Sequence, residues 1–356
     1  MISYLLGFLL ALLVSALLTP LTKRLALQWH LVDEPSQAPE RKIHARPIPL
    51  AGGSAIFCAF FLSLLILLVL KVVPSGIIHQ QHFAGIFLAS LVLMISGAVD
   101  DWSGLAPRTQ FFWSLVASLI IVLSDIGIRE LTNPFGGKIS LVWMEWGSIA
   151  FPSDFITVIW LLATMYTTKL LDGLDGLVTG IGAIGGFTLF AVSLLPQLLQ
   201  PQTALVALLF AGACVGFLPF NWHPARVFLG NGGSLLVGFL LGVLAIASGG
   251  KFITLLLLLA IPLFDLFWVV FRRVIMEHRS PFAADRKHFH HRLLDVGLSH
   301  RQAVASLLAV SAAAGIAAFA LQTQYKIYAL GIFLLVIVIA AAAVVRLGNA
   351  RKAHVH

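Results

Sequence analysis

The 356 residues are 59% hydrophobic and only 11% charged, with 23 Lys and Arg against 15 Asp and Glu and a formal net charge of +8. Soluble domains carry about 25% charged residues, so this composition excludes a water-soluble globular fold and points to a lipid environment. The basic excess does not call for a nucleic-acid partner, because membrane topology and anionic lipid account for it.

Apolar runs recur along the chain at approximately 2–22, 49–70, 82–99, 110–128, 153–170, 177–196, 203–220, 233–249, 252–272, 302–321 and 326–345. Runs of 18–22 residues cross the ~30 Å hydrocarbon layer as helices. Alternating barrel-type runs are absent, and helices and closed barrels are the only spanning solutions in lipid. The expected fold is an all-α polytopic membrane protein with about eleven transmembrane helices, inner catalytic loops and one integral membrane domain over 1–356. Between the fourth and fifth runs, Asn133 to Gly137 is a turn flanked by apolar residues, predicting a small outer β-hairpin.

The first run has no basic residue before it and is followed by Lys23 and Arg24, the order expected of a retained first helix with its N-terminus outside. Threading the chain from that start puts only Lys71, Arg129, Lys138, Lys251 and Lys326 on outer segments, and the other 18 of the 23 basic residues on inner ones. This positive-inside bias orients the chain. Cys58 and Cys214 fall inside spans as buried thiols, so no disulfide framework is implied.

Five polar clusters then fall on the inner side. The first loop holds Asp33, Glu34 and Pro35, then Lys42, His44 and Arg46 before Pro47, Pro49 and the pair Gly52–Gly53. Basic residues belong at such a boundary anyway, so the loop alone is equally an ordinary stop-transfer segment. Asp100 and Asp101 are adjacent carboxylates at a span end, which repel unless a cation or donors sit nearby. Lys169, Asp172 and Asp175 belong to a run in which each aspartate precedes a glycine, and on a continuing helix the two aspartates share one face. Boundary acids are costly and mark function by default.

The fourth cluster runs from Asn221 through His223 and Arg226 to Gly230, Asn231, Gly232, Gly233 and Ser234. A glycine-rich helix start of this kind offers backbone N–H groups to an anion such as phosphate. The fifth holds Asp285, Arg286, Lys287, His288, His290, His291 and Arg292. Its histidines lack the further ligands of a zinc site and, among arginines and a lysine, suit phosphate better. The string from Gly180 to Gly185 matches a dinucleotide fingerprint but lies inside a spanning run with no preceding strand, so small-residue helix packing explains it.

Taken in order, these five motifs resemble the polyprenyl-phosphate N-acetylhexosamine-1-phosphate transferase family, in the branch that uses undecaprenyl phosphate and N-acetylglucosamine 1-phosphate. The resemblance runs from Asp33 to Arg292. It implies transfer of a phospho-sugar from a UDP-N-acetylhexosamine to undecaprenyl phosphate with release of UMP, an early membrane step of cell-envelope polysaccharide synthesis such as O-antigen. It further implies Mg²⁺ with Mn²⁺ as the alternative ion, a bacterial inner membrane with the site facing the cytoplasm, and a homodimer as one option for assembly. By the same resemblance Asp100, Asp101, Asp172 and Asp175 are the catalytic acids, and Asp101, Asp172, Asp175 and Asn231 the metal set. Lys42, His44, Lys169, Asn221, Arg286, His288, His290 and His291 are the substrate contacts.

The chemistry needs such residues. A diphosphate and a phosphate must meet, so cations and basic groups have to neutralise them. A phosphate monoester, with its second pKa near 6, is already a dianionic nucleophile at neutral pH and does not require a strong base. The chain departs from the family pattern in three places. Asn231 stands where an aspartate is usual, and Tyr166 and Lys169 where two asparagines are usual. These leave three readings: a lysine that partly replaces metal charge, a different donor sugar, or an impaired enzyme. The rival class, a transporter or lipid-binding protein with an intramembrane relay, would show repeats or mid-span charges that the sequence lacks.

Overall fold

The structure, a computed structural model, describes residues 2–34, 46–76, 79–133, 137–147, 149–196, 198–249, 252–278, 289–322 and 325–339, with the side chains of 80, 132, 261 and 289–291 outside that set. It begins with α1 (Ile2–Gln28), a two-residue antiparallel pair β1 (Val32–Asp33) and β2 (Ile48–Pro49), then α2 (Gly52–Val69), α3 (Gln80–Ser103) and α4 (Pro107–Leu123). Two antiparallel hairpins follow, β3 (Glu130–Thr132) with β4 (Lys138–Ser140) and β5 (Val142–Trp146) with β6 (Ile149–Pro152). The sequence predicted the first; the second is additional. The helices α5 (Ser153–Leu171), α6 (Leu177–Ser193), α7 (Pro201–Asn221), α8 (Gly230–Ala247), α9 (Phe252–Leu258) and α10 (Ala260–Phe271) come next. A π-turn (Arg272–Met276), the short α11 (Phe289–Val296), α12 (His300–Ala320) and α13 (Tyr325–Ile339) complete it.

Each apolar run of the sequence coincides with a helix or a helix pair, but the span count differs from eleven. Among the described residues seven helices, α1, α2, α3, α5, α7, α8 and α12, are long and apolar enough to cross a membrane. The pair α9 and α10 makes an eighth only if its 81° bend is taken as one broken span. Helices α4 and α6 are apolar but have 17 residues each, or about 26 Å of rise against a ~30 Å layer, and α13 is apolar over its described residues. The shortening of α6 has a local cause, since the polar turn before it ends at Gly176 with φ +82°.

Helix α8 is the axis of the bundle. Its apolar window is 89% buried, against 22% for α1, and it packs on α2, α3, α5, α6 and α7. Glycines let its neighbours approach closely. A Cβ on Gly97 would lie 2.1 Å from the Cα of Gly232, and one on Gly53 2.4 Å from the Cα of Gly233. The glycines of the fourth motif therefore serve packing between helix backbones, as small residues do in membrane bundles. The glycines at 182 and 185 do likewise, against Cys214, Val237 and Leu241, which agrees with helix packing as the reading of the fingerprint-like string. Helix α5 is tied to α8 by the Thr168 hydroxyl, which donates to the Ser234 carbonyl at 2.8 Å. Large apolar side chains such as Leu5, Leu9, Leu13 and Leu17 of α1 face outward, the pattern of a lipid-facing surface. Cys214 is buried as expected, whereas Cys58 is exposed on the outward side of α2.

Candidate active site

One end of the bundle carries an open cleft of about 1270 Å³. The chain builds it from helix ends: the C-terminal turns of α1, α3, α5 and α7, and the starts of α8 and α12. The loop leaving β2 is stitched to the segment before α8, with Phe228 N–H donating to the Pro49 carbonyl (2.9 Å) and Gly52 N–H to the Phe228 carbonyl (2.9 Å). Residues far apart in sequence thus share one wall. Asp100, Asp101, Asp172, Asp175, Asn221 and Asn231 all line the cleft, as do the basic residues Lys23, Arg46 and Arg226.

Asp100 is buried and held from its own helix end. Its Oδ1 accepts from Leu105 N–H (2.7 Å) and from Gln110 Nε2 (2.8 Å), while Lys169 Nζ stands 3.8 Å from its Oδ2. Lys169 also donates to the Gln110 side-chain oxygen. Lys169 lies behind Asp100 and is not among the residues lining the cleft; its charge faces a carboxylate of the chain itself.

Asp101 caps α8. The backbone N–H of Asn231 donates to both of its oxygens (3.0 and 3.2 Å), and the Asn231 side-chain amide donates to Oδ1 at 2.8 Å. The glycine-rich helix start does hold an anion, as the sequence suggested, but that anion is the carboxylate of Asp101. Gly230 makes room for it, with φ +75° and a position where a Cβ would lie 2.5 Å from Asp101 Oδ2.

The two aspartates of the third motif do not share a helix face. Helix α5 ends at Leu171, and residues 172–176 form the turn into α6. Asp172 stands at the end of α5 with its side chain open to the cleft. Desolvation by the surrounding helix ends pushes its carboxyl up to about 7, and the charges of Asp101 and Asp175 push the same way. Asp175 is held by the loop before α8 and by the start of α12. Its Oδ2 pairs with His223 Nδ1 (2.7 Å) and accepts from Ala225 N–H (3.0 Å), and its backbone N–H donates to His300 Nε2 (2.9 Å). Asn221 fastens the same turn, accepting from Gly176 N–H and from the Thr179 hydroxyl. Its place is structural as well as on the cleft wall.

The carboxylates of Asp101, Asp172 and Asp175 line one cleft, and the charges of the other two help to raise Asp172, so the three form an oxygen-rich set that fits a hard divalent cation such as Mg²⁺. Of the cleft histidines, His223 lies in the fourth motif without an assigned role, and His300 lies outside all five motifs, a lone histidine at a helix start. Lys42, His44, Arg286 and His288 lie outside the described residues. His290 and His291 fall in α11, whose backbone alone is described there.

Comparison with known proteins agrees with this architecture. Residues 83–249 match the model of glycosyl transferase family 4. The chain is 31% identical over 332 residues to a probable undecaprenyl-phosphate N-acetylglucosaminyl 1-phosphate transferase of Bacillus subtilis (strain 168), covering 91% of this chain and 86% of that protein. It is 30% identical over 303 residues to a decaprenyl-phosphate N-acetylglucosaminephosphotransferase of Mycolicibacterium smegmatis, with 79% and 72% covered. Against an undecaprenyl-phosphate alpha-N-acetylglucosaminyl 1-phosphate transferase of Escherichia coli O157:H7 it is 28% identical over 318 residues, with 85% and 79% covered. With the motifs, the helical bundle and these relatives in agreement, the chain belongs to glycosyl transferase family 4.

Proposed function

We propose that the protein transfers N-acetylglucosamine 1-phosphate from its UDP derivative to undecaprenyl phosphate, releasing UMP, at the cytoplasmic face of a bacterial inner membrane. The observation that carries this reading is the convergence of Asp100, Asp101, Asp172 and Asp175 with Lys23, Arg46 and Arg226 on one cleft at one end of an apolar bundle. A cleft at a span boundary is where a water-soluble nucleotide and a headgroup-depth lipid phosphate meet. The excess of basic residues on the inner segments supports a cytoplasmic orientation.

In the reaction, an oxygen of the lipid phosphate attacks the sugar-linked phosphorus of the donor. A new phosphorus–oxygen bond forms, the bridging bond to the α-phosphate breaks, and UMP leaves with the electron pair. Mg²⁺ held by Asp101, Asp172, Asp175 and the Asn231 side chain would neutralise the diphosphate. Lys23, Arg46 and Arg226 attract the anionic substrates. Asp100, tied to Lys169 and Gln110, fixes the end of α3 and so the position of Asp101. Lys42, His44, Arg286, His288, His290 and His291 complete the substrate contacts in this reading.

The test is incubation of purified protein with radiolabelled UDP-N-acetylglucosamine and undecaprenyl phosphate. UMP release that depends on both substrates is the expected result. A protein that moves lipid phosphate across vesicles without releasing UMP would place it in the transporter class instead.

A further inference from the structure

Two backbone N–H groups of the turn between α5 and α6 take their acceptors from side chains elsewhere in the chain. That of Gly176 donates to Asn221 Oδ1 (3.1 Å) and that of Asp175 to His300 Nε2 (2.9 Å). The shape of the turn, and with it the place of the Asp175 carboxylate, is therefore set by distant elements. Asn221 is the last residue of α7, and His300 is the first residue of α12. The start of α12 is closed by a reciprocal cap, in which the Ser299 hydroxyl accepts from Gln302 N–H (3.3 Å) and the Gln302 side chain from Ser299 N–H (2.9 Å). Further along, α12 packs closely on α6, where a Cβ on Gly180 would lie 2.7 Å from Leu308. The imidazole of His300 is thus delivered to the turn by a firmly seated helix.

The same imidazole braces the loop before α8. It stacks on His223, with ring centroids 3.9 Å apart and planes 13° from parallel. His223 Nδ1 and Ala225 N–H both reach Asp175 Oδ2, at 2.7 and 3.0 Å, and Arg301 Nε donates to the His223 carbonyl at 3.0 Å. An imidazole nitrogen that accepts from an amide carries no proton, so the His300 proton sits on Nδ1. That atom is buried and has no hydrogen-bond partner among the described residues. A buried donor left unpaired is unfavourable, and a phenyl ring would fill the same place without one. What the imidazole adds is the acceptor for Asp175 N–H. Resting on the transferase reading above, we infer that His300 is a positioning residue for the transfer, holding the Asp175 turn against the loop of residues 222–226. It acts through the backbone of Asp175 and the ring of His223, and so fixes where both stand on the cleft.

Two substitutions separate the acceptor from the ring. His300→Phe keeps the stack and removes the acceptor, whereas His300→Gln returns an acceptor at the reach of Nε2 without the ring. Full-length protein in detergent is assayed for UMP release from UDP-N-acetylglucosamine and undecaprenyl phosphate. Hydrogen exchange read by mass spectrometry, without substrate, follows the turn itself. For His300→Phe the expected result is kcat lowered about 10–100-fold, the usual effect of removing a group that orients a site residue. The ratio kcat/KM should fall equally, because orientation is lost and ground-state binding is not. Exchange should quicken only at residues 172–177 and 222–226, with a melting midpoint no lower than the parent's. His300→Gln should recover most of kcat and the slow exchange of residues 172–177. A parental kcat in His300→Phe overturns the role, as does a His300→Gln as slow as His300→Phe. Faster exchange across the whole bundle with a lowered midpoint also overturns it, in favour of a purely structural histidine. If the parent itself releases no UMP, the transferase reading fails, while local exchange still decides whether His300 holds the turn.

Discussion

Replacing Asn231 by aspartate puts a second carboxylate where an amide now donates. The Nδ2···Oδ1 contact with Asp101 is 2.8 Å, and hydrogen bonds to charged groups contribute about 1.5–3 kcal/mol. Two like charges at that distance repel by about 1.5 kcal/mol in bulk water and about 6 kcal/mol at an effective dielectric near 20. Asp101 lies between those limits, half-buried on the wall of an open cleft. The sum is on the order of 5 kcal/mol without metal, enough to lower a melting midpoint by roughly 5–10 °C. A divalent cation between the two carboxylates reverses the sign of that interaction. The expected outcome for Asn231→Asp is a low midpoint in EDTA that returns to the parental value or above in millimolar Mg²⁺, while the parent responds much less. Differential scanning fluorimetry in detergent, with and without Mg²⁺, measures both. A variant that melts like the parent in EDTA and ignores Mg²⁺ would refute the claim that Asn231 neutralises Asp101.

Other consequences can be measured on the same preparation. Lys169→Met leaves Asp100 buried without its cation, and breaking such a pair costs about 3–5 kcal/mol; thermal and denaturant unfolding should both show the loss, with partial recovery in Lys169→Arg. Because the folded Asp172 carboxyl is raised to about 7, the folded protein binds more protons than the unfolded chain between about pH 4 and 7. Metal-free protein should therefore lose stability as pH rises through that window, and Asp172→Asn should make the slope shallower in chemical denaturation at pH 5, 6, 7 and 8. Gly97→Ala places a Cβ 2.1 Å from Gly232 Cα, forcing α3 from α8 at a cost of about 1–3 kcal/mol. It should lower UMP release more than 10-fold by moving Asp101 from α8.

The membrane class and the helix order were legible because an apolar run reports its environment directly, whatever it packs against. The hairpin of β3 and β4 was legible for a similar local reason. What failed was geometry set by tertiary partners. The spacing of Asp172 and Asp175 predicts one helix face, yet α5 ends at Leu171 and both aspartates lie in the turn that leads to Gly176. The Asn231 segment reads as an anion cradle, and nothing local says that Asp101, 130 positions earlier, supplies the anion. The pairing of His223 with His300 escaped notice because it depends on α12 returning beside α6. The Lys169 departure was visible, but its partner Gln110 carries no motif at all.

Asp101 at the start of α8 has a consequence for how substrates are held. Backbone dipoles are rigid and shielded by the protein, so an anion bound through them is little affected by salt. Here that rigid donor set is committed to a side chain, and attraction of the nucleotide falls to flexible, water-facing groups such as Arg226. Mobile ions screen such groups over about 8–10 Å. Substrate capture by this protein should therefore track the ionic strength of the medium, even while the fold that positions its aspartates does not.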